Sequence, residues 1–111
     1  MMEIEVKPLK KVDVVTVSGR VDSSNAADFD NALKDLTGKG RRNIVLDFAN
    51  LDYMSSAALR AMVAALKSAK HGGGNVVIAR ANERIVDTLT LVGFQTLFNQ
   101  YDNVLDAVDA F

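Results

Sequence analysis

Leu51-Asp52-Tyr53-Met54-Ser55-Ser56-Ala57-Ala58-Leu59-Arg60 is the junction between a strand and a helix. Just upstream, Ile44-Val45-Leu46-Asp47-Phe48 is nearly unbroken in apolar residues, as in a central strand covered on both faces. Downstream, Leu59, Met62, Val63 and Leu66 recur at the i, i+3, i+4, i+7 spacing of one buried helix face. This spacing predicts a helix from about Ser56 to Lys70, closed by His71-Gly72-Gly73-Gly74. The serine pair falls at the start of that helix, where backbone N–H groups are free and the dipole is positive. A hydroxyl there serves as a helix cap or as an attachment point for phosphate, and the two residues alone leave both roles open.

Working outward, Ile4 to Lys7 alternates and stops at Pro8, which predicts an edge strand. Val12 to Val17 is β-branched and ends at Ser18-Gly19, and the two segments form a hairpin through Pro8-Leu9-Lys10. Val21-Asp22-Ser23-Ser24-Asn25 offers several N-caps for a helix carrying Ala26, Phe29, Leu33 and Leu36, which Thr37-Gly38-Lys39-Gly40 closes. Asn75 to Ala79 reads as a second buried strand. Asn82-Glu83 opens a helix with Ile85, Val86 and Leu89, ended by Gly93. Leu97-Phe98 is expected to be a last short strand, and Asp102-Asn103 to cap a final helix bearing Val104, Leu105, Val108 and Phe111. The three-glycine run is expected to be a flexible turn. Two right-handed strand–helix–strand units behind a hairpin give an α/β fold over residues 1–111 as one domain. Its central sheet is mixed, mostly parallel, with four to five strands and about four helices.

The composition narrows the function. With 111 residues and 49% hydrophobic content the chain builds a sizeable core, and 24% charged residues argue against disorder. A net charge of −1 gives no electrostatic case for nucleic acid or an anionic membrane as partner. There is no cysteine, so disulfides and thiolate metal sites are excluded. The opening Met1-Met2-Glu3-Ile4-Glu5 is not a secretory signal, and no apolar run reaches the roughly 20 residues that span a bilayer. A cytoplasmic domain is expected.

Enzyme signatures are missing. No G-x-S-x-G elbow is present, and the single His71, beside a glycine turn, reads as a solvated helix-end residue. Gly72-Gly73-Gly74-Asn75 lacks the lysine and hydroxyl residue of a phosphate-binding loop and precedes a strand. Asp22, Asp47 and Asp52 all fall near strand ends, where three carboxylates can hold a divalent cation. The preferred reading is that Asp22 caps the first helix, Asp52 caps a turn and Asp47 sits on a less buried edge of its strand. No catalytic set, metal site or cofactor is expected. Tyr53 and Met54 read first as core residues; the alternative is that one of them stands exposed beside the serines as part of a protein-docking patch.

In three segments the chain resembles the STAS domains of the anti-sigma factor antagonist family. Val17-Ser18-Gly19-Arg20-Val21-Asp22 is similar to the family's second-strand ending, and Asn43 to Phe48 to its central strand. Leu51 to Arg60 resembles its phosphorylation segment, and Val92-Gly93-Phe94 a late helix ending. The resemblance implies that Ser56, before Ser55, is the phosphorylated residue, and that Ala58 stands where the family usually has glycine. A methyl there is expected to alter how a partner packs.

The resemblance further implies partner switching. The unmodified protein would bind an anti-sigma factor that is also a serine kinase, freeing a sigma factor for transcription. Phosphorylation by that kinase, with its own ATP and Mg²⁺, would end the complex, and a phosphatase would restore it. Asp22, Ser23, Ser24, Met54, Ser55, Ser56, Ala57, Ala58 and Arg60 are the expected docking residues. The alternatives are a STAS subunit of another complex, such as a lipid-transport or chemotaxis-linked signalling assembly, and, third, a weak nucleotide hydrolase.

Overall fold

β-branched residues from Val12 onward alternate between two apolar faces, and the strand they build organises the sheet. In the computed structural model, which describes residues 1–111, β1 (Met2–Pro8) runs antiparallel to β2 (Asp13–Val21). The chain continues through α1 (Ala26–Gly38), β3 (Asn43–Asp47), β4 (Leu51–Met54), α2 (Ser56–His71) and β5 (Asn75–Ala79). It ends with α3 (Glu83–Leu91), β6 (Gln100–Tyr101) and α4 (Val104–Asp109). The strand order is β1-β2-β3-β5-β6, all parallel after the first pair, with β4 added to β2. Because β3 pairs Asp13–Thr16 and β4 pairs Gly19–Val21, the two lie end to end along one edge of β2.

The alternation of β2 sorts its side chains into two cores. Val15, Val17 and Val21 join Ile44, Leu46 and Ile78 beneath α1, α2 and α3. Val12 and Val14 join Val45, Val77 and Ala107 beneath α4. Both faces of β3 are therefore covered, which explains its near-continuous apolar run. Phe29, Phe48, Leu46 and Met62 are fully buried; such side chains each contribute on the order of 2 kcal/mol.

The sheet has six strands rather than four or five. β4 escapes a sequence reading because Asp52 and Tyr53 at its centre are both exposed, so its burial does not alternate. The last strand lies at Gln100–Tyr101, not Leu97-Phe98. Phe98 instead plugs the larger core from a turn, 1% exposed, with its ring 6.5 Å from that of Phe94.

Two glycines are fixed by close approach. Gly19 has φ +87°, and a Cβ there would collide with the carbonyl of Met1, which accepts the N–H of Arg20. Gly74 lies against the backbone of Arg42, while Gly73, at φ +83°, has open space around it.

Asp47 is also not where the sequence suggested. It is 3% exposed and accepts two hydrogen bonds from Arg80, from Nε at 3.0 Å and Nη2 at 2.5 Å. Burial without a partner would be costly for a carboxylate, and Arg80 supplies the partner. That hydrogen bonding holds the guanidinium protonated more firmly than usual. Asp13, 1% exposed, accepts a single hydrogen bond from Arg41 Nε at 2.7 Å, and Arg41 Nη2 also donates to the carbonyl of Leu9 at 2.8 Å.

Candidate docking and phosphorylation site

Three local features place the serines. The N–H of Ser55 donates to the carbonyl of Val21 at 2.8 Å, tying the start of α2 to the end of β2. The parallel register of Arg20 with Tyr53 and Val21 with Met54 carries that alignment into the strands. Asp22, Ser23 and Ser24 follow Val21 directly, so the β2–α1 loop and the head of α2 sit side by side.

The two serines divide there. Ser55 has extended backbone (φ −75°, ψ 167°), and its hydroxyl accepts the N–H of Ala58 at 3.2 Å. It is the N-cap of α2. Ser56 is the first residue inside the helix and is exposed. No acidic residue occupies the first turn of α2. A phosphate at Ser56 would therefore meet free N–H groups and the positive end of the dipole. Arg60, also exposed, follows at i+4 on the same helix side.

Asp22 does not cap α1 with its side chain; the N-cap position is Asn25. Instead Asp22 closes a tight turn. Its carboxylate accepts the Ser24 hydroxyl at 2.6 Å and the Ser24 N–H at 2.9 Å, while its own N–H donates to Asn25 Oδ1. The Ser24 hydroxyl, and then the Ser24 N–H, hold the Asp22 carboxyl below its ordinary value of 3.8. Asp22 thus presents a negative charge beside the serines.

Asp52 does not cap a turn; it lies exposed on β4 with Arg84 at 4.0 Å. With Asp22 bonded to Ser24 and Asp47 to Arg80, the three carboxylates do not gather, and no group of three His, Asp or Glu is placed to hold a metal ion.

The docking residues named from sequence separate by burial. Ser23, Ser24, Ser56 and Arg60 are exposed, and Ala57 is half-buried. Met54 (3%) and Ala58 (0%) face the core, so neither side chain stands on the surface of the free domain. The methyl of Ala58 fills space beneath α2. Of the Tyr53–Met54 pair, Tyr53 is the exposed member, with the Arg20 guanidinium 4.5 Å from its ring centre. Arg20 was not legible as part of this surface; only the cross-strand register brings it there.

An open groove of about 460 Å³ runs from Ser23 between α1 and α2. Small residues, Ala27, Ala57, Ala61 and Ala64, let the helices leave it open, and Arg60 and the Asp30–Lys34 pair give it charge.

A small α/β domain with an exposed, uncommitted hydroxyl at the head of a helix, beside an open groove, is the class this architecture defines. The chain belongs to the STAS domain family, whose model matches residues 3–107. It is 28% identical over 97 residues to BtrV of Bordetella bronchiseptica, whose name includes the words anti-sigma factor antagonist. That match covers 87% of this chain and 84% of BtrV. An anti-sigma factor antagonist from Mycobacterium paratuberculosis superposes with a TM-score of 0.89 at 21% identity, covering 99% of this chain and 93% of that one. The anti-sigma factor antagonist SpoIIAA superposes in its unphosphorylated form (TM-score 0.85, 11% identity, 97% and 95% covered). Its phosphorylated form does so with a TM-score of 0.78 at 12% identity, over 97% and 98% of the chains. At these identities the superpositions establish a common fold. No helix of the chain is long and apolar enough to cross a membrane.

Proposed function

We propose that this chain is an anti-sigma factor antagonist, a binding module rather than an enzyme, switched by phosphorylation of Ser56. Unmodified, it docks an anti-sigma factor with serine kinase activity through the β2–α1 loop, the head of α2 and the adjoining groove, and so frees a sigma factor. The kinase brings its own ATP and Mg²⁺ and phosphorylates Ser56 within the complex; a phosphatase reverses the step. The domain spans residues 1–111 and acts in the cytoplasm.

The division of the serine pair carries this reading. Ser55 is committed to the cap, whereas Ser56 is exposed at a helix start that tolerates an anion. A phosphate there adds roughly −1.5 to −2 charges at pH 7. Solvent and the helix dipole stabilise that charge in the free protein. A docked partner would strip its water, and the ionised Asp22 lies in the neighbouring loop. The charge therefore acts on binding while the fold survives.

The direct test incubates the protein with serine kinases encoded in the same genome, with ATP and Mg²⁺, and maps the product by mass spectrometry. A single phosphate on Ser56, absent from Ser56→Ala, is the expected result. Phosphate on a different residue, or none with any kinase that binds, refutes the assignment.

A further inference from the structure

Although the whole chain carries a net charge of −1, one pole of the sheet is basic. Strands β2, β3 and β5 are parallel, so the loops that precede them meet at one pole. Hydrogen bonds join these loops into one surface. Arg41 donates to the carbonyls of Leu9 and Lys10, Asn43 Nδ2 to that of Lys11 at 3.1 Å, and the N–H of Asn75 to that of Arg42 at 3.0 Å. Lys10, Lys11, Lys39, Arg42 and Lys70 stand on this surface and form none of the chain's ion pairs. The buried Asp13 is already committed to Arg41. The other pole, which bears the serines, is mixed in charge: Asp22, Asp52 and Glu83 lie at or near it together with Arg20, Arg60 and Arg84.

A groove of about 400 Å³ opens into the basic pole between the β1–β2 turn and the end of α4. Leu9, Val12, Val108 and Phe111 give it apolar walls; Lys10, Lys11 and Asp109 are its polar ones. Leu9 and Phe111 are 36% and 37% exposed. Val12 and Val108 belong to the core under α4, so this groove lies on the opposite side of the sheet from the one between α1 and α2.

We propose that this groove docks a short acidic segment of a partner protein. A leucine- or phenylalanine-like side chain sits between Leu9 and Phe111, with flanking carboxylates against Lys10 and Lys11. Charge complementarity selects the acidic class, because two unpaired lysines border an apolar floor. The concave shape favours a protein side chain over a bilayer, which requires apolar groups that protrude. Asp109 repels a carboxylate on the α4 side, so the acidic end of the segment points towards the hairpin. This surface shares no residue with the serine site, and a partner held here leaves Ser56 accessible.

The test titrates the ¹⁵N-labelled protein with the peptide Asp-Glu-Leu-Glu-Asp-Phe-Leu-Asp-Glu-Glu, alongside a copy with lysine at every acidic position. The expected result is amide shifts confined to residues 9–12 and 108–111, and none with the lysine copy. Affinity should fall about tenfold or more in Lys10→Glu/Lys11→Glu and weaken with added salt, as a Coulombic contact requires. It should be unchanged in Ser56→Asp, which separates this proposal from the serine switch. Shifts at the serine pole, or no binding at millimolar peptide, overturn it. So does concentration-dependent dimerisation through these residues, which would give the groove to a second copy. Flotation with phosphatidylserine vesicles, lost in the charge-reversed variant while the peptide fails to bind, would assign the pole to a lipid surface instead.

Discussion

The hydroxyl of Ser55 accepts the N–H of Ala58 at 3.2 Å, and this single contact separates two adjacent serines into a structural residue and an available one. Ser55→Ala should cost about 1 kcal/mol, the usual loss for an N-cap hydroxyl. Ser56→Ala should change stability by less than about 0.5 kcal/mol, as an exposed substitution away from such features does. Urea unfolding of both variants checks this, and equal losses would contradict the cap assignment.

The Asp22–Ser24 turn carries a pH signature. Asp22 has a folded pKa below its unfolded one, chiefly because the Ser24 hydroxyl bonds the ionised form. Its contribution is therefore complete above the unfolded value near 3.8 and is lost as pH falls through the lower folded value. In an NMR titration Asp22 should protonate at lower pH than an ordinary aspartate. Ser24→Ala should move that midpoint upward. A midpoint unmoved by Ser24→Ala would show that the hydroxyl does not hold the carboxylate.

Much of this fold was readable where one physical signal acted alone. The apolar run of Ile44–Phe48 and the helical spacing of Leu59, Met62 and Leu66 each had a single cause, burial, and each element formed as expected. Misreadings arose where two causes overlapped. Leu97-Phe98 is apolar because Phe98 fills the core from a turn, not because it is a strand. Leu51–Met54 is a strand whose exposed centre hides its period. At the site, the position of Ser55 and Ser56 at the head of α2 was legible because cap and helix are contiguous in sequence, whereas the side-by-side packing of the β2–α1 loop comes from the pairing of Val21 with Met54. The burial of Met54 and Ala58, the Arg20–Tyr53 stack and the Asp47–Arg80 pair depend on cross-strand register or on contacts between distant residues, which local spacing does not encode.

Arg80 is the one non-glycine residue with positive φ, at 57°, and it holds that conformation while its side chain pairs with buried Asp47. Left-handed backbone costs an ordinary residue about 1 kcal/mol, a cost that glycine avoids. Arg80→Ala keeps this strain and strands the Asp47 carboxylate. It should destabilise by about 2 kcal/mol, below the loss for a fully buried pair because the guanidinium is 47% exposed. Arg80→Gly should be about 1 kcal/mol less damaging, since only the pair is lost. Thermal unfolding of the two variants decides the matter; alanine equal to glycine would mean the backbone stores no strain.

Ala58 is completely buried in the first turn of α2, so its methyl belongs to the core. Ala58→Gly removes that methyl and loosens the helix start, at a combined cost of about 1–2 kcal/mol. Affinity for a purified kinase partner should stay within about threefold, because no contact is made directly through the side chain. A large affinity change at unaltered stability would show that the methyl shapes the docking surface after all.

Ser56→Asp tests whether charge at the helix head acts on binding or on folding. A carboxylate in the first turn of α2, where no acid now stands, should stabilise the free protein by about 0.3–1 kcal/mol through the dipole. The same charge must lose water when a partner covers it, and Arg60 alone cannot replace all of that water. Affinity for the kinase partner should fall by at least about tenfold, or 1.4 kcal/mol. Arg60 lies one turn away and is positioned to offset part of that loss, so Ser56→Asp/Arg60→Ala should bind more weakly still. Calorimetry on the free protein and on the complex separates the two effects. Binding as tight as that of the unmodified protein would rule out a charge-based switch at Ser56.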